Sequence, residues 1–175
     1  PDVNVNFEGI KVACVGDSMT YGTTLLNTKV ERYPARLAKM LGKDYNVLNL
    51  GFAGYAVNRQ SSKSYLNLPY SKILEQYAPK YVVVLLGTND ARSKNFTTEN
   101  DFAYAYKSLF NSINNLSCKP QIIALTSPMA YVNNEVCEFD FSHDNLEKII
   151  KLQRTILDEY KIPYIDLQNI TQGKT

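Results

Sequence analysis

The sequence predicts an α/β protein of three layers, with a flavodoxin-like, doubly wound parallel sheet of five strands between helices. Two observations and one rule predict it. Short apolar, β-branched runs alternate with helix-period segments along the chain. One run, Tyr81–Leu86 (YVVVLL), is continuously apolar, as in a parallel strand buried on both faces. Right-handed crossovers then make the doubly wound order the natural one.

The elements follow in order. Lys11–Val15 (KVACV) reads as the first strand. Tyr33–Leu41 puts Leu37, Met40 and Leu41 on one face and reads as a helix ending at Gly42. Tyr45–Leu50 is the second strand, 55–68 a polar and aromatic loop, and Pro69–Gln76 a short helix started by proline. Tyr81–Leu86 is the third strand. Thr98–Asn115 is a helix capped by Thr98, with Phe102, Tyr106, Leu109 and Ile113 as its stripe. Gln121–Thr126 is the fourth strand, Ser127–Phe141 a loop, and Ser142–Tyr160 a long helix with Ser142 as its cap. Tyr164–Leu167 is the fifth strand.

Length and composition narrow the function classes. A chain of 175 residues suits one domain, here 1–175. The net charge of +2 gives no electrostatic argument for nucleic acid or an anionic membrane. No apolar run is long enough to span a bilayer. The N-terminus is polar, has no signal-peptide core and does not begin with Met, so a removed leader and a fragment are both left open, and the compartment with them. Oligomeric state is not readable. Cys14, Cys118 and Cys137 make neither a disulfide framework nor a zinc signature. Cys14 reads as a small core residue, and a Cys118–Cys137 bridge is disfavoured.

In a sheet of this kind ligands gather at the carboxyl ends of the strands. Three exits are unusual: Gly16-Asp17-Ser18 after the first strand, Asn49-Leu50-Gly51-Phe52-Ala53-Gly54 after the second, and Gly87-Thr88-Asn89-Asp90 after the third. Acyl transfer needs a nucleophile and donors aimed at an oxyanion. A serine on a turn just past a strand is rigid and exposed. Glycine lets a substrate approach the backbone, and an asparagine amide is a neutral donor. Ser18, Gly51 and Asn89 therefore form a coherent set. Each tripeptide alone is as well read as an ordinary turn. Asp17 and Asp90 read as turn-holding carboxylates.

Those three blocks resemble the SGNH hydrolase superfamily, the GDSL-like esterases and lipases. Gly16-Asp17-Ser18-Met19 matches the first block, with Met where Leu or Ile is usual. Asn49-Leu50-Gly51 matches the second and Gly87-Thr88-Asn89-Asp90 the third. The resemblance runs from about Lys11 to Leu167. It implies a three-layer fold and hydrolysis of carboxylic esters without a cofactor or metal. It implies Ser18 as nucleophile, with the Ser18 N–H, the Gly51 N–H and the Asn89 side chain lining the oxyanion hole. Small acyl esters, acetyl first, are the expected substrates, and O-acetyl groups of carbohydrates are the finer expectation.

The family's fourth block, Asp-x-x-His after the last strand, supplies the general base. Here Asp166-Leu167 is followed by no histidine. The expectation is that this block lies in a C-terminal segment absent from the chain. The alternative is Asp140-Phe-Ser-His143, which holds the chain's one histidine; the bland reading sets His143 in the solvated first turn of a helix. Asp166 reads as structural.

Two further classes stay open. One is an inactive protein of this fold that only binds. The other is a flavodoxin-like module whose hydroxyl-rich loop Ser18–Thr24 cradles the phosphate of a flavin mononucleotide. Tyr55, Tyr65 and Tyr70 suggest either a carbohydrate surface or half-buried packing, the latter preferred.

Overall fold

The structure is a computed structural model that describes residues 8–129 and 140–171. The β-branched runs form strands β1 (Ile10–Gly16), β2 (Tyr45–Gly51), β3 (Tyr81–Leu85), β4 (Gln121–Leu125) and β5 (Tyr164–Ile165). All pair in parallel, in the order β2-β1-β3-β4-β5. That is the doubly wound order expected from the sequence.

Seven helices are described: α1 (Ser18–Tyr21), α2 (Thr28–Glu31), α3 (Tyr33–Leu41), α4 (Tyr70–Tyr77), α5 (Glu99–Asn114), α6 (His143–Glu159) and α7 (Leu167–Thr171). The chain steps from β1 outward to β2, then back across to β3, β4 and β5. Right-handed crossovers therefore set α3 on one face and α4, α5 and α6 on the other. The expected caps are in place. Thr98 Oγ1 accepts from the Asp101 N–H and Ser142 Oγ from the Asn145 N–H, contacts worth ~1 kcal/mol each.

Burial follows the apolar pattern in β1, β3 and α5, whereas Met40 of α3, expected on one apolar face with Leu37 and Leu41, is exposed. Ala13, Cys14 and Val15 of β1 and Val82 and Val84 of β3 are fully buried. On α5, Phe102 stacks on Tyr106, which meets Phe110 edge-on with centroids 4.7 Å apart. Burial pushes the Cys14 thiol up to about 12, so it acts as a core group. Cys137 lies outside the described residues.

Some elements differ from the expectation. α1, α2, α7 and a 3-10 turn at Thr88–Ala91 are short elements that the sequence reading does not set out. Each spans five residues or fewer, too short for a helical period to register. Tyr65 and Tyr70 are buried, so neither belongs to a carbohydrate surface. Tyr65 donates to the Leu50 carbonyl at 2.7 Å, which satisfies its hydroxyl within the core.

Candidate active site

Register decides which exits meet. Gly16 pairs with Gly51 on one side and Leu85 on the other, so β1, β2 and β3 end level. The order of strands reverses between β1 and β3, the position where doubly wound folds bind ligands. Ser18 follows β1 and Asn89 follows β3. Both line one cavity of about 530 Å³, together with Thr23, Gly54, Lys63 and Arg92.

Ser18 is the first residue of α1 and is half-buried. Asp17 caps that helix, its Oδ1 accepting the Met19 N–H at 3.0 Å. Its Oδ2 is buried with no partner among the described residues, and burial pushes the carboxyl up to about 6. The chain's own carboxylate thus occupies the start of the loop in which a phosphate cradle was conceivable.

Asn89 is oriented by its neighbours. Its Nδ2 donates to the Tyr55 carbonyl at 3.0 Å, and its own carbonyl accepts from Asn95 Nδ2 at 2.8 Å. A carbonyl can only accept, so the Tyr55 contact fixes which end of the amide is nitrogen. It uses one of the two N–H bonds and leaves the other.

Gly51 is not brought to this cavity. Its N–H is donated to Asn49 Oδ1 at 2.8 Å, and it lines a different cavity on the outer side of β2. The glycine that does line the Ser18 cavity is Gly54, three residues on. Its φ of +82° favours glycine, and an added Cβ would meet nothing nearer than the Lys63 side chain at 3.7 Å. Among the described residues, no hydrogen bond uses the Gly54 N–H.

Asp90 does more than hold its own turn. Its two oxygens accept the N–H groups of Val57 and Asn58, each at 2.8 Å, and so staple the loop after β2 to the exit of β3. Burial is the main cause that pushes its carboxyl up to about 7; the two N–H bonds oppose it and nearby Asp17 adds to it. Asn58 and Asn95 extend this staple, Asn58 Nδ2 donating to the Asn95 carbonyl at 2.9 Å. Behind the turn, buried Gln153 of α6 donates to the Leu86 carbonyl at 2.7 Å and accepts the Ser127 N–H at 2.9 Å. These groups were not singled out from sequence, because their partners are distant in the chain.

The two candidates for the base region behave differently. Asp140 accepts the Lys94 N–H at 3.0 Å, which pins its segment beside the β3 exit. His143 begins α6, is exposed, and sets its ring edge-on to Phe141 at 5.8 Å. It is not among the residues that line the Ser18 cavity. Asp166 is held by Arg154 at 2.9 Å and by Thr126 Oγ1 at 3.1 Å, an anchor for the start of α7. Among the described residues, no helix is long and apolar enough to cross a membrane.

A doubly wound sheet with a serine and an oriented asparagine amide at its switch point defines a class of α/β proteins. Within it, the match to a family model over residues 14–175 is specific. The chain belongs to the GDSL-like Lipase/Acylhydrolase family. An acetylxylan esterase from Xylanibacter ruminicola is 33% identical over 95 residues. That stretch is 54% of this chain and 20% of the relative, so the chain matches only a fifth of that protein's length. Among solved structures, a carbohydrate acetylesterase from Sinorhizobium meliloti superposes with a TM-score of 0.74 at 20% identity, covering 91% of this chain and 85% of that one. An aryl esterase from M. smegmatis does so with a TM-score of 0.73 at 19% identity, covering 92% and 85%. At these identities the two structures speak for the fold.

Proposed function

We propose that this chain carries the nucleophile and the oxyanion cradle of a carboxylic ester hydrolase acting on small acyl esters, acetyl first. The observation that carries the reading is the shared cavity of Ser18 and Asn89 at the switch point. Ser18 Oγ attacks the ester carbonyl carbon. A C–O bond forms, the hydroxyl proton passes to a general base, and negative charge develops on the carbonyl oxygen. Three donors surround that oxygen: the Ser18 N–H, the Gly54 N–H and the second Asn89 Nδ2–H. Gly54 takes the place that the sequence gave to Gly51, because the Gly51 N–H is already bonded to Asn49. The intermediate collapses with loss of the alcohol, which takes up the proton, and water then releases the acid from Ser18.

The base is not His143 in this reading, since that ring lies outside the cavity. Among the described residues, no histidine or carboxylate lines the Ser18 cavity. The relative's name and one neighbour's title, acetylxylan esterase and carbohydrate acetylesterase, support acetylated carbohydrate as the finer substrate class. A second reading, a protein of this fold that binds esters without cleaving them, draws on the same observation that His143 does not line the Ser18 cavity.

The test is hydrolysis of p-nitrophenyl acetate by wild type and Ser18→Ala. Turnover that the substitution removes supports the reading. Turnover that survives it overturns Ser18 as nucleophile.

A further inference from the structure

A second cavity lies beside the Ser18 cavity, over the outer edge of β2. It measures about 530 Å³ and meets the first at Ala53, which lines both. Its lining includes three aromatic residues, Tyr21, Phe52 and Tyr55, the Asn46 amide and one charged group, Arg32. Among the described residues, no carboxylate lines it. The Nε of Arg32 is buried and has no hydrogen-bond partner among the described residues. That nitrogen is covered by protein, so what the cavity meets is the rest of the Arg32 side chain, and the terminal N–H groups of a guanidinium form a fork that fits a carboxylate.

Two residues couple the cavities. Tyr21 lies one helical turn from Ser18 on α1. Tyr55 lends its carbonyl to the Asn89 amide and also lines the second cavity. A group seated there is therefore next to the Ser18 cavity, the two sharing Ala53 as a wall. Pockets of this make-up bind a ring by its apolar faces and orient it with a few placed polar groups. A hydrocarbon chain would leave Arg32 desolvated and unanswered, and a neutral ring would leave its charge unused.

We propose that this cavity is the subsite for the alcohol part of the ester, and that this alcohol is a sugar ring bearing a carboxylate, which pairs with Arg32. The inference rests on the ester-hydrolase reading of the Ser18 cavity.

The experiment compares kcat/KM for an O-acetylated methyl glucuronoside with that for the matching O-acetylated methyl glucoside. The wild type is expected to prefer the acidic ester by about tenfold or more, as a charge-assisted pair would give. Arg32→Gln is expected to bring that ratio near one. The Arg32 carbonyl that caps α3 is main chain and survives the substitution. Should the Gln variant fail to fold, Arg32→Lys keeps the charge without the fork and should lower the ratio part-way. A wild-type ratio near one, or a ratio that neither variant changes, overturns the subsite. If the wild type cleaves neither ester, methyl glucuronoside is titrated by NMR. Shifts at Tyr21 and Tyr55 that Arg32→Gln abolishes keep the subsite and sink only the hydrolase reading; the absence of shifts sinks the subsite too.

Discussion

Asn49 holds Gly51 from one side and α1 from the other: its Oδ1 accepts the Gly51 N–H at 2.8 Å while its Nδ2 donates to the Thr20 carbonyl at 2.7 Å. The exit of β2 is thereby locked to the helix that begins with Ser18. A Cβ at position 51 would overlap the backbone nitrogen of Tyr21, which cannot yield without moving α1. Gly51→Ala is expected to cost ~3 kcal/mol or to prevent folding, as overpacking against backbone does. Gly54→Ala meets open space and suffers only from its positive φ, a cost of about 1–2 kcal/mol. Thermal unfolding of the two variants checks this; a Gly51→Ala protein as stable as wild type would refute the packing.

Asn89 gives a kinetic prediction. Its side-chain amide is held by the Tyr55 carbonyl, and its main-chain carbonyl by Asn95 Nδ2, before any substrate arrives, so its remaining N–H is preorganised rather than recruited. Removing such a donor lowers kcat by about 10²–10³ in comparable sites. Asn89→Ala should show that loss with KM little changed, measured on p-nitrophenyl acetate. A loss confined to KM would mean that Asn89 binds the ground state instead.

Asp17 and Asp90 set the direction of the pH dependence of stability. Both are buried, and both carboxyls are pushed up, to about 6 and about 7, from 3.8 in the free side chain. The folded chain then holds protons that the unfolded chain releases. Stability from these groups is present below about pH 4 and is lost as pH rises towards 7. Each tenfold gain in proton affinity is about 1.4 kcal/mol, so Asp17 alone accounts for roughly 2–3 kcal/mol across this window. Tm should fall between pH 5 and pH 8, and Asp17→Asn, which keeps the Oδ1 acceptor, should flatten the fall. A Tm that rises with pH over this range, equally in both proteins, would count against the assignment.

The strands and long helices were legible in the sequence because their signals are local. β3 is a continuous apolar run, α5 has its stripe, and Thr98 and Ser142 stand three residues before the N–H groups they cap. The site was half legible. Ser18 and Asn89 sit at strand ends, and strand ends can be read from sequence. Choosing between Gly51 and Gly54 depends on where the Asn49 side chain turns, which no periodicity reports. The Asp90 staple joins residues 33 and 32 positions apart, and Gln153 reaches 67 positions to Leu86. Such contacts exist only once the sheet has formed.

His143 supplies the last prediction. A general base must come within hydrogen-bond reach of the serine whose proton it takes, directly or through one water. His143 is held in the first turn of α6, where Ser142 caps the helix through the Asn145 N–H and the ring lies against Phe141. The Ser142 N–H also donates to the Ala91 carbonyl at 3.1 Å, so the start of the helix is pinned to the β3 exit. The ring is not among the groups that line the Ser18 cavity. His143→Ala is therefore expected to retain kcat/KM on p-nitrophenyl acetate within about twofold, whereas a true base gives ~10²–10⁴-fold. Stability should also change little, because the side chain is exposed. A hundredfold loss with an unchanged Tm would place His143 at Ser18 during turnover and return Asp140 and His143 to the role that their spacing first suggested.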